Sequence, residues 1–128
     1  MSKNFKVPED ELKKMEKVKE LFNELYEMRE DIHVVRVDDY AYVVLEWYTL
    51  DPEPNEFEHV STFFEAKKLF DFLLDETCFC YAAKSLNSQG IKDLDIISEY
   101  MESLKESEDS DLAKRCRWYQ EQWEKISK

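Results

Sequence analysis

A single glycine, Gly90, in a chain of 128 residues removes whole classes of function at once. Loops that cradle a phosphate bring the backbone against the ligand and need several glycines, so neither G-x-G-x-x-G nor G-x-x-x-x-G-K-[ST] can be written here. The G-x-S-x-G elbow that presents a nucleophilic serine is missing as well.

The length suits one domain, residues 1–128, able to bury roughly two-thirds of the surface its unfolded chain exposes. Hydrophobic residues at 43% and aromatics at 14% supply a core, and 38% charged residues supply a polar surface. No apolar run reaches the ~20 residues of a membrane helix, and residues 1–14 lack the basic-then-apolar order of a signal peptide, so a cytoplasmic location without membrane contact is expected. Cys78, Cys80 and Cys116 are an odd count without a disulfide-framework spacing, which suits a reducing compartment.

Pro8 followed by Glu9, Asp10 and Glu11 marks a helix start, and Leu12, Met15, Val18, Phe22 and Leu25 recur at helical spacing, predicting one amphipathic helix to about Arg29. From Ile32 the period changes to two. A hairpin is expected over about 32–50, with Asp38-Asp39 as its loop and Val37 paired with Tyr40. That register places Ile32, Val34, Arg36, Ala41, Val43, Leu45 and Trp47 on one face, and His33, Val35, Val37, Tyr40, Tyr42, Val44, Glu46 and Tyr48 on the other. Pro52 and Pro54 punctuate a loop, and about 56–60 reads as a short third strand.

Thr62-Phe63-Phe64-Glu65 fits a capping box opening a helix to about Glu76, and Cys80 to Leu86 fits a further short helix stopped by Gly90. Leu94, Ile97, Met101 and Leu104 define another helix, and Leu112, Cys116, Tyr119, Trp123 and Ile126 the last, after a cap at Asp109 to Asp111. The fold class is therefore α+β: an N-terminal helix, a three-stranded antiparallel meander, then three to four helices ending in an antiparallel helix pair. Trp123 falls on the apolar seam of the last helix and Trp118 does not.

The net charge of −12 argues against direct nucleic-acid binding, which is driven by Lys and Arg displacing counterions. Residues 31–60 hold Arg36 alone against eight carboxylates. Glu99, Glu102, Glu106 and Asp109 step by three and four along one helix face, a row that could imitate a phosphate backbone if other acids added to its density. On a helix the thiols of Cys78 and Cys80 point about 200° apart and cannot chelate a metal together. His33 and His59 read as half-exposed strand residues, and no serine or cysteine carries a nucleophile motif. Neither metal nor cofactor is expected.

The sharper signal is the tyrosine face. Tyr40, Tyr42 and Tyr48 with Val35 and Val37, rimmed by Asp38 and Asp39, would make an apolar, hydroxyl-tipped surface of the kind enriched at protein interfaces. The sequence thus points to a non-enzymatic interaction domain binding a protein partner or a second copy of itself. The alternatives are an acidic decoy for a nucleic-acid-handling protein, carried by Glu99, Glu102, Glu106 and Asp109, and an enzyme built from scattered carboxylates, Cys78 and the histidines.

Overall fold

The computed structural model describes residues 6–46 and 59–128. Its order of elements is the α+β order the sequence implies: helices α1 (Glu9–Leu21) and α2 (Asn23–Met28), strands β1 (His33–Val37), β2 (Ala41–Glu46) and β3 (His59–Phe63), then helices α3 (Ala66–Asn87), α4 (Leu94–Glu106) and α5 (Asp111–Ser127). Contacts divide the chain into two compact units, Met1–Phe70 and Asp71–Lys128.

In the first unit, acids at Glu9, Asp10 and Glu11 meet the positive end of α1, and Leu12, Met15 and Val18 turn their stripe inward. The expected single helix to Arg29 is interrupted at Phe22, whose ψ of 35° leaves helical geometry. No proline or glycine marks the break. The Phe22 ring is buried and tilted against Phe70, centroids 5.7 Å apart, and Leu25 on α2 continues the buried stripe.

The sheet is antiparallel in the order β1-β2-β3. Its hairpin differs from expectation by one residue. The turn holds Asp38, Asp39 and Tyr40, so Val37 pairs with Ala41 and Val34 with Val44. Asp38 takes a φ of +45°, which a short polar side chain tolerates, and the Tyr40 N–H bonds the Val37 carbonyl at 3.0 Å. Arg36 braces the turn by donating from Nε to the Asp38 carbonyl at 2.8 Å and from Nη2 to Asp39 Oδ1 at 3.0 Å.

The third strand overlaps the expected span at residues 59–60 and runs beyond it. Residues 56–58 fall outside the described residues, and β3 continues to Phe63. Thr62 and Phe63 therefore close a strand rather than open a capping box. The first N–H of α3, at Ala66, is satisfied across the unit by Glu11 Oε1 at 2.9 Å.

In the second unit, α3 runs unbroken through the gap expected near 77–79, and the Thr77 hydroxyl is absorbed by donating to the Leu73 carbonyl at 2.7 Å. The helix ends as a Schellman motif: Ile91 N–H bonds the Leu86 carbonyl and Gly90 N–H the Asn87 carbonyl, each at 3.0 Å, with Gly90 at φ +82°. Ile91 then packs on the apolar cluster that holds Leu86, Cys78, Ala82, Ile97, Met101 and Leu112. Asp93 caps α4 by accepting from the Asp95 and Ile96 N–H groups, and Ser110 caps α5 by accepting from Ala113. The α4–α5 pair forms as expected, with two exchanges in its seam. Leu94 in the first turn of α4 is 66% exposed, and Tyr119 is the fully buried aromatic of α5 while Trp123 is only half-buried. Trp118 is exposed and stacks edge-on against Tyr119.

A Cβ added at Gly90 meets nothing within 4 Å, so the only cost of a side chain there is its left-handed backbone. Gly90→Ala should lower the urea-unfolding free energy by about 1–2 kcal/mol, and Gly90→Asn by clearly less. Equal losses would mean that the end of α3 rearranges instead.

Candidate functional site

The one-residue change in the hairpin decides what the two faces of the sheet carry. On one side lie Val34, Arg36, Tyr42, Val44 and Glu46, joined by Ser61 and Phe63 from β3. Val34, Tyr42, Val44 and Glu46 are all buried. This is the side that meets α1 and α2, because the Tyr42 hydroxyl donates to Glu16 Oε2 at 2.5 Å and Glu46 Oε2 lies 3.2 Å from Arg29 Nη1. Arg29 also grips Asp31, so the buried carboxylate of Glu46 is held within a charged triplet instead of being left alone.

The other side carries His33, Val35, Val37, Ala41, Val43, Leu45, Val60 and Thr62. Val35, Val37 and Val60 are 41%, 43% and 60% exposed, and Val43 and Leu45 are half-buried. An antiparallel sheet with one packed face ordinarily alternates to polar residues on the other. This face does not. None of its eight described strand positions is acidic, in a chain where 30 of 128 residues are carboxylates.

The residues singled out in the sequence are thus split. Tyr42 is a core residue, placed against the helices because β2 presents it to the same side as Val34 and Val44 rather than to the side of Val35 and Val37. Tyr40 belongs to the turn and is 44% exposed, at the end of the open face. Asp38 and Asp39 serve the turn itself, Asp39 meeting Arg36 and, at 4.0 Å, Lys6. Tyr48 lies outside the described residues. Glu99, Glu102, Glu106 and Asp109 are exposed, and Glu102 is partly neutralised by Lys105 at 3.7 Å. That row stands on α4 and the connection after it.

His33 looks onto a shallow cavity of 440 Å³ beside β1, shared with Lys19, Tyr26 and Glu30. Among the described residues no group of three or more His, Cys, Asp and Glu side chains is placed to hold a metal ion. No described helix is long and apolar enough to cross a membrane. Sequence reasoning missed one juxtaposition. Cys78 of α3 and Cys116 of α5 bring their sulfurs to 3.3 Å. The signal was present, since Cys78, Ala82 and Leu86 repeat every four residues on one face once α3 is read as continuous. Comparison with family models, with curated proteins and with solved structures finds no match for the chain.

Burial, then the bond to Glu16 and that carboxylate's charge, push the Tyr42 hydroxyl up from 10.0 to about 12. The protonated hydroxyl therefore stabilises the fold fully below pH 10, and this contribution disappears as pH rises towards 12. Tyr42→Phe should cost about 1–2 kcal/mol near neutral pH, because it strips a donor from a half-buried carboxylate. Urea unfolding across pH 9 to 12 should show the gap to wild type narrowing. A gap that stays constant would mean the hydroxyl is not the group being titrated.

Proposed function

We propose that this chain is a non-enzymatic interaction domain that associates through the open face of its sheet, in the simplest form with a second copy of itself. The observation that carries this is the apolar, carboxylate-free face formed by Val35, Val37, Val43, Leu45 and Val60 on a protein of net charge −12. Contiguous exposed apolar surface is uncommon on monomeric proteins and marks contact sites. Two such faces can pack sheet on sheet with interdigitating β-branched side chains about 10 Å apart, and neither copy then has to strip water from a charge. Like charges elsewhere would be kept apart at the rim. The same charge argues against nucleic acid as a direct partner, and three cysteines suit the cytoplasm.

Sedimentation of the wild type against Val35→Lys with Val60→Lys tests the proposal. Both substituted positions are exposed strand sites, so secondary structure and unfolding temperature should change little while the assembly falls to monomer. The wild-type assembly should persist in high salt, because apolar contact is not screened. A wild type that is monomeric near 100 μM, where a micromolar Kd would be well saturated, overturns self-association. An assembly that dissolves on adding salt would instead assign it to the acidic surfaces.

A further inference from the structure

Cys78 sits on the buried face of α3, 2% exposed, and Cys116 on α5 is half-buried, their sulfurs 3.3 Å apart and 38 residues separated along the chain. Two sulfurs at that distance are not bonded, and a disulfide needs them at about 2.05 Å. The sulfurs must close by about 1.25 Å to bond. The pair is also asymmetric in access. Cys116 lines an open cavity of 340 Å³ together with Lys105, Arg117, Gln120, Glu121 and Glu124, whereas Cys78 is enclosed by Ala82, Leu86, Ile97, Met101 and Leu112.

We infer that Cys78 and Cys116 form a redox-active dithiol, in which Cys116 attacks a small anionic disulfide of the glutathione class and Cys78 resolves the product to an intramolecular bridge between α3 and α5. The Cys116 thiolate attacks one sulfur of the small disulfide, that S–S bond breaks, and one small thiol leaves. Cys116 now carries a mixed disulfide. Cys78 attacks the Cys116 sulfur, the mixed bond breaks, and the second small thiol leaves. Two electrons pass from the protein to the small disulfide, and the two protons of the cysteines end on the two released thiols.

The surroundings fit these roles. The hydrogen bond with Cys78, with Lys105 and Arg117 nearby, lowers the Cys116 thiol to about 7, while the bond to Cys116 and burial hold Cys78 above its usual value. Lys105 and Arg117 also offer positive charge to the carboxylates of the incoming disulfide, with Glu121 and Glu124 lining the same cavity and Asp75 near Cys78. Burial of Cys78 keeps it from reacting first. Its closeness to Cys116 then favours the bridge over a lasting adduct.

The full-length chain is treated with oxidised glutathione, quenched with an alkylating agent under denaturing conditions, and mapped by peptide mass. The folded wild type should lose two hydrogens, carry no glutathione, and yield a peptide pair cross-linked between Cys78 and Cys116. Cys78→Ser should accumulate one glutathione on Cys116, and Cys116→Ser should leave Cys78 unmodified. Cys80→Ser should behave as wild type. The bridged form should unfold at higher urea than the reduced form, since it closes a long loop. A stable glutathione adduct on Cys116 in the wild type, a bridge through Cys80, or no reaction of the folded chain under conditions that oxidise it in urea would each overturn the inference. The wild-type mapping needs no substitution, so a variant that fails to fold does not blunt the test.

Discussion

The three-residue turn at Asp38, Asp39 and Tyr40 fixes how β1 lies against β2, and everything in the first unit follows from that register. Side chains alternate strictly along a strand, so one residue more or less in the turn exchanges the whole inward set of one strand relative to the other. With three residues, Val34 comes to the side of Tyr42 and Val44, and Val35 and Val37 go to the side of Val43 and Val60. The turn is held by a left-handed Asp38 and by Arg36 reaching over to both aspartates, which is why acids in this stretch are structural. Val7 adds a further tie, its N–H bonding the Asp39 carbonyl at 2.9 Å.

The register also dictates which polar groups are buried and therefore what the helices must supply. Tyr42 and Glu46 lie on the packed side and would be costly there without partners. Glu16 of α1 takes the tyrosine hydroxyl, and Arg29, just past α2, takes the carboxylate. Glu11 uses its remaining reach to satisfy the first N–H of α3. Charged residues of the helical segments thus act as partners to the sheet and to the next helix. On the opposite face of the sheet Val35, Val37 and Val60 remain exposed.

The second unit is organised by caps and by one apolar cluster. Gly90, the lone glycine, stands at the left-handed position that ends α3, and Asp93 and Ser110 supply acceptors for the helices that follow. The cluster they enclose includes a thiol, and a second thiol meets it from α5. On α5, Tyr119 rather than Trp123 is the fully buried aromatic, the larger ring being only half-covered near the end of the helix.

Local periodicity and capping chemistry were sufficient for the order of elements, the stripe Leu12, Met15, Val18, Phe22 and Leu25, the helix stop at Gly90 and the cap at Ser110, because each depends on residues within a turn of one another. The break at Phe22, the continuity of α3 across Thr77 and the extension of β3 into Phe63 depend on partners far along the chain, and no local signal carried them. The composition of each strand was legible, including the tyrosines and valines that suggested an interface. Which of them shares a face was not, since that turns on a single residue in a loop that Arg36 closes over. The same reason separates Cys78 from Cys116 in the sequence and joins them in space: helical phase says which side a thiol takes, and only packing says what stands opposite.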